Sequence, residues 1–71
     1  MHFVYILRCA DDALYVGETS DLALRLQKHQ DGTASRFTVR RRPVVMVYAE
    51  EYGSQKQALT RERQLKRWSH A

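Results

Sequence analysis

Phe3-Val4-Tyr5-Ile6-Leu7 and Ala13-Leu14-Tyr15-Val16-Gly17-Glu18, with Ala10-Asp11-Asp12 between them, decide the fold. The first run is apolar at every position and rich in β-branched and aromatic side chains, so it reads as a central strand covered on both faces. The second reads as its hairpin partner. Loop length then sets which residues share a face. A two-residue loop, Asp11-Asp12, pairs Tyr5 with Glu18 and puts Tyr5 and Tyr15 on opposite sides. A three-residue loop, Ala10 to Asp12, pairs Cys9 with Ala13, Leu7 with Tyr15 and Tyr5 with Gly17, and puts both tyrosines on one side. The longer loop needs a left-handed residue at its end, and Asp12 tolerates that conformation better than most residues. The three-residue loop is the preferred reading.

Outward from the hairpin, Thr19-Ser20-Asp21 opens a helix, with Ser20 as the N-cap and Asp21 complementing the positive helix end. Gly32 ends it in the manner of a C′ glycine. Leu22 and Leu26 form a ridge, flanked by Arg25 and His29, themselves four residues apart. Residues 33–42 (Thr-Ala-Ser-Arg-Phe-Thr-Val-Arg-Arg-Arg) form a basic connector with room for one short helical turn around Ala34 to Thr38. Pro43 starts a third strand, Val44 to Ala49, where a missing amide donor is tolerated. Ser54-Gln55-Lys56-Gln57 is a capping-box pattern opening a helix that runs to about Trp68. Its apolar stripe is Ala58, Leu65 and Trp68, with Leu59 at the edge. The expected fold is α+β, a three-stranded antiparallel sheet flanked by helices in the order β-β-α-(short α)-β-α.

Size bounds the rest. A chain of 71 residues allows a single domain, 1–71, and excludes repeat arrays and large α/β enzymes. With 44% hydrophobic and 28% charged residues, the composition is that of a folded protein rather than a disordered one. The single cysteine, Cys9, excludes a disulfide scaffold and reads as a small buried hydrophobe. No apolar run is long enough to span a membrane, and the N-terminus has no basic region or cleavage-like site, so a cytoplasmic protein is expected. Charge is unevenly placed: residues 1–32 carry a net −2 and residues 33–71 a net +6. Nine of the twelve basic residues are arginine, whose planar fork suits phosphate.

Glu62 is the oddest residue. It stands inside the apolar stripe of the last helix, four after Ala58 and three before Leu65, where a carboxylate is costly unless paired or coordinating. A solvated pair with Lys66 would satisfy it, and so would a metal ion. Tyr5 and Tyr15 fit as core tyrosines with their hydroxyls at a rim, and Arg25 and His29 fit as an exposed helix edge. The alternative is that all five meet at one place.

At this point the chain resembles the GIY-YIG nuclease family. Val4-Tyr5 and, after the hairpin, Tyr15-Val16-Gly17 match its paired motifs. Arg25 and His29 match its first-helix pattern, and Glu62 within Ala58-Leu-Thr-Arg-Glu62-Arg-Gln-Leu-Lys66-Arg-Trp68 matches its acidic residue. Phe3 stands at the first motif's glycine position, and valine replaces isoleucine in both motifs. The resemblance spans the whole chain and is strongest to small stand-alone bacterial members. It implies a metal-dependent endonuclease hydrolysing phosphodiester bonds in DNA, with a place in DNA repair. Glu62 would hold Mg²⁺ or Mn²⁺, Arg25 a phosphate oxygen. Tyr5 would be the candidate base, its phenol needing nearby cations (Arg25, the metal) to lower its pKa, with Tyr15 and His29 unranked beside it, and Gly17 would be structural. Arg36, Arg40, Arg41, Arg42 and Lys66 would contact nucleic acid, the four connector arginines by tracking its backbone. A monomer or weak dimer is expected, with a protein partner supplying specificity. The competing reading is a non-catalytic or partner-dependent nucleic-acid-binding module on the same scaffold.

Overall fold

The β-branched and aromatic run at the N-terminus forms β1 (His2–Arg8), the middle strand of the sheet. In the computed structural model, which describes residues 1–69, β2 (Leu14–Thr19) and β3 (Val45–Tyr52) flank it, both antiparallel, in the order β2-β1-β3. The remaining elements are α1 (Leu22–Asp31), the single turn α2 (Arg36–Val39) and α3 (Gln55–Ser69). The fold is the expected α+β arrangement, with the optional short helix present.

The hairpin has the three-residue loop. Tyr5 pairs with Gly17 and Leu7 with Tyr15. Asp12 adopts φ 67°, the left-handed conformation that closes the loop, while the Cys9 amide donates to the Ala13 carbonyl at 2.8 Å. Because side chains alternate along β1, two cores form, one on each face of the sheet. On one face Val4 and Val16 pack with Ala58 and Leu65 of α3, and Ile6 and Tyr52 close the edge. On the other, Tyr5, Leu7, Cys9 and Val44 form a cluster with Tyr15, Leu22, Leu26 and Met46 around it. Each fully buried aliphatic side chain contributes roughly 1.5–3 kcal/mol.

Four details differ from the sequence reading. The N-cap of α1 is Asp21, not Ser20: its carboxylate accepts from the Leu24 amide at 3.0 Å, and its own amide donates to Thr19 Oγ1 at 3.1 Å. Thr19 thus ties down the residue before the helix and moves the cap one position on. β3 begins one residue later than expected and ends three later, at Tyr52, because it pairs with β1 as far as His2. The polar Glu50 is accommodated there by bonds from Tyr48, Tyr52 and Arg61. Val44 falls outside the strand but is held like a strand residue by the Gln30 side chain, which donates to its carbonyl at 2.6 Å and accepts from its amide at 3.3 Å. Finally, Trp68 is 63% exposed. It stands one turn beyond Leu65, at the rim of a shallow groove lined by Ile6, Leu14, Val16 and Leu65, and carries the Arg61 guanidinium 4.9 Å from its ring centre.

Ser54 does cap α3, its hydroxyl accepting from the Gln57 amide at 3.2 Å. Gly32, at φ 81°, ends α1 with the Schellman bond from Thr33 to the Lys28 carbonyl at 2.9 Å. Among the described residues no helix is long and apolar enough to cross a membrane.

Candidate functional site

Tyr5 and Tyr15 lie on the same face of the hairpin, on the side covered by α1, because the loop register places both opposite partners of like orientation. α1 brings His29 over them. The Tyr5 ring centre is 6.3 Å from Tyr15 and 5.7 Å from His29, and Tyr15 and His29 are 5.0 Å apart, edge to face. The Tyr5 hydroxyl and His29 Nε2 share a buried hydrogen bond of 2.8 Å. Gly17 makes this possible. A Cβ there would sit 2.6 Å from Tyr5 Cζ, nearer still to its hydroxyl, and 3.0 Å from the Tyr15 ring.

Charge around the phenol works against its ionisation. Burial raises the Tyr5 pKa most, and Tyr15, Glu62 and Glu18 raise it further, while Arg25 opposes them. The sequence reading required nearby cations to lower this value, and Arg25 does pull in that direction, but desolvation outweighs it. His29 moves the other way, lowered by burial and then by Arg25. Both groups are therefore neutral at rest, a phenol bonded to an imidazole. The positive charge of Arg25 lowers both values.

Glu62 belongs to a different layer. It is carried by α3, which packs against the opposite face of the sheet, yet its charge bears on Tyr5. Its side chain is 17% exposed and pairs with Lys66 Nζ at 3.5 Å. The pairing expected from the i, i+4 spacing is thus present, and the carboxylate is neither fully buried nor turned wholly to bulk water. Among the described residues no three of His, Cys, Asp and Glu are gathered into a cage for a metal. A lone hard oxygen donor fits only a cation that keeps most of its waters and completes its shell from a substrate, as Mg²⁺ does and a structural Zn²⁺ does not.

The connector arginines divide. Arg41 donates to Asp11 at 3.0 Å and to the Phe37 carbonyl at 2.9 Å, with its guanidinium 4.1 Å from the Phe37 ring centre. Arg42 donates to the carbonyls of Val39 and Gln30 at 2.9 and 3.1 Å. These two brace the connector against the hairpin and α1. Arg36 and Arg40 are exposed.

Sequence reasoning missed two neighbours, both on α2. Phe37 lies 5.9 Å from the Tyr15 ring centre. Thr38 is fully buried, and its Oγ1 is 2.9 Å from His29 Nδ1. The only available signal was Ser35, which caps α2 by accepting from the Phe37 amide at 3.1 Å. It marks the turn but not what the turn carries.

This cluster of two phenols and an imidazole coincides with a family match. The GIY-YIG catalytic domain model matches residues 1–71. The chain belongs to the GIY-YIG family. That family is one of nuclease domains. Among curated proteins, a UPF0213 protein of Staphylococcus haemolyticus is 41% identical over 68 residues, covering 96% of this chain and 83% of that one. A UPF0213 protein of Staphylococcus aureus strain N315 is 43% identical over the same length and coverage. The solution NMR structure of a UPF0213 protein from Bacillus halodurans aligns with a TM-score of 0.58 at 35% identity, covering 93% of this chain and 70% of that one. The GIY-YIG fold of small bacterial proteins is thus common to this chain and its relatives.

Proposed function

We propose that this chain hydrolyses phosphodiester bonds in DNA with the aid of Mg²⁺ or Mn²⁺. The observation that carries the reading is the buried Tyr5–His29 hydrogen bond, in a GIY-YIG chain. Phosphodiester hydrolysis needs a nucleophile in line, charge neutralisation on phosphorus and relief of charge on the departing oxygen. Glu62 would hold the cation, which when bound supplies Lewis-acid neutralisation of that charge.

The chain's own residues do the rest. Arg25 holds a non-bridging phosphate oxygen through its guanidinium. Tyr5 takes the proton of the attacking water as its own proton passes to His29 Nε2, so no free phenolate has to exist in a site that disfavours one. The proton that reaches His29 creates a second positive charge beside Arg25, where the phosphate gains negative charge in the transition state. Tyr15 orients the water or the phosphate from the same sheet face. Arg36 and Arg40 run along the strand backbone, contacts that position DNA without reading its sequence.

Cleavage of plasmid and branched DNA in Mg²⁺ or Mn²⁺ tests the reading, comparing the unaltered protein with Glu62→Ala and Tyr5→Phe. Both substitutions are expected to abolish turnover. Glu62→Ala is expected to shift the unfolding free energy by less than about 1 kcal/mol, since it breaks one solvent-accessible ion pair. Cleavage surviving both changes would overturn the assignment. DNA binding without cleavage in either metal would favour a binding module.

A further inference from the structure

We propose that Thr38 is a positioning residue, whose hydroxyl holds His29 in the tautomer protonated on Nδ1 and so leaves the Nε2 lone pair aimed at the Tyr5 hydroxyl. The inference rests on the nuclease reading for its purpose, since it explains how His29 is kept ready to take the Tyr5 proton. Its structural content stands without that reading.

Tyr5 is 1% exposed, and His29 and Thr38 are 0% exposed. Every polar hydrogen in this chain of groups therefore has to find its partner within the protein. The Ser35 backbone carbonyl can only accept, and the Thr38 hydroxyl donates to it at 3.4 Å, the back-bond to a preceding carbonyl that threonine often makes in a helical turn. This uses the only hydrogen Thr38 has. Its oxygen is then the acceptor in the 2.9 Å contact with His29, so Nδ1 carries the proton. A neutral imidazole has one N–H, which leaves Nε2 as an acceptor, and the Tyr5 hydroxyl donates into it at 2.8 Å. The order is Tyr5 O–H to His29 Nε2, His29 Nδ1–H to Thr38 Oγ1, and Thr38 O–H to the Ser35 carbonyl. In the opposite arrangement Thr38 would donate to Nδ1, and Nε2–H would point at Tyr5 with no lone pair to receive the phenolic proton.

The element that carries Thr38 is suited to this task. α2 is only four residues long, capped by Ser35, with Arg36 and Phe37 facing outward and Thr38 wholly inside. A valine would fill the same volume and offer no acceptor, whereas a serine would restore it.

Nitrogen-15 NMR of the three imidazoles in the intact chain, without DNA or metal, reads the tautomer directly. Spectra would be compared for the unaltered protein, Thr38→Val and Thr38→Ser. The unaltered protein and Thr38→Ser are expected to show His29 protonated at Nδ1. Thr38→Val is expected to move His29 toward the Nε2-protonated form, because Nδ1–H would then face a methyl group. A His29 protonated at Nε2 in the unaltered protein would overturn the proposal even if Thr38→Val failed to fold. So would a Thr38→Val spectrum identical to that of the unaltered protein. In the cleavage assay Thr38→Val is expected to slow turnover by about 10²-fold, with Thr38→Ser restoring it. If no form cleaves DNA but the ring signals follow the expected pattern, the nuclease reading fails and the role of Thr38 in setting the tautomer stands.

Discussion

At the scale of single residues, the tightest constraint is the space above Gly17. The Tyr5 ring occupies the position a side chain at 17 would take, and the Tyr15 ring lies against it. Gly17→Ala is therefore expected to push the Tyr5 phenol away from His29 and to destabilise the fold by about 1–3 kcal/mol, as overpacking a filled site does. Thermal unfolding would show the second effect and DNA cleavage the first. An alanine variant with unchanged melting temperature and unchanged cleavage would mean that the ring moves aside at little cost. The motif glycine was legible in the sequence, but its reason was not, because that reason is the position of a ring twelve residues earlier. Thr38 is the stronger case. In Ser-Arg-Phe-Thr-Val, within a basic connector, nothing distinguishes a buried hydroxyl from a solvated one, and only the docking of α2 against α1 decides it.

At the scale of elements, the hairpin was readable because its loop had few solutions. A single left-handed residue, Asp12, selects the register, and the register alone sends both tyrosines to one face. The ends of α1 and β3 were less legible, since local competition sets them. Two neighbouring residues, Ser20 and Asp21, are both competent caps, and the choice falls to the Thr19 side chain. Asp21→Ala is expected to cost about 1 kcal/mol and Ser20→Ala much less, a difference that chemical denaturation resolves. β3 ran on past its apolar stretch because Glu50 found partners in Tyr48, Tyr52 and Arg61, the last through bonds of 2.9 and 3.3 Å from α3. Hydrogen bonds from Arg61 and then from Tyr48 hold the Glu50 carboxyl at about 2, below its ordinary 4.5. A carboxylate with a depressed folded-state value stabilises the fold above its unfolded value and loses that contribution as pH falls through the folded one. The link between β3 and α3 is thus expected to be intact at neutral pH and to weaken between about pH 4.5 and pH 2. Melting temperatures of the unaltered protein and Glu50→Gln should differ at pH 7 and converge toward pH 2. A constant difference across that range would show that the ion pair does not link α3 to the sheet.

Across the whole molecule, the net charge of +4 conceals two populations of arginine with different duties. Composition treats Arg36, Arg40, Arg41 and Arg42 alike, which is why the sequence assigned all four to nucleic acid. The fold separates them. Arg41 and Arg42 bond to Asp11 and to the carbonyls of Phe37, Val39 and Gln30, so they brace the connector whether or not DNA is present. Arg36 and Arg40 are exposed, on either side of Phe37 and Thr38. If the proposed DNA contacts are made by this second pair, each phosphate it neutralises releases counterions and adds about 0.9 to the slope of log affinity against log salt. The double variant Arg36→Ala/Arg40→Ala is then expected to reduce that slope by about 2 while leaving the melting temperature close to that of the unaltered protein. Arg41→Ala should do the reverse in kind, lowering the melting temperature because the Asp11 and Phe37 contacts between hairpin and connector are lost. Titrating a labelled duplex at several salt concentrations, alongside thermal unfolding of each variant, separates the two duties. A slope unchanged by the double variant would remove Arg36 and Arg40 from the interface and direct attention to the basic face of α3, where Arg63 and Arg67 are also exposed.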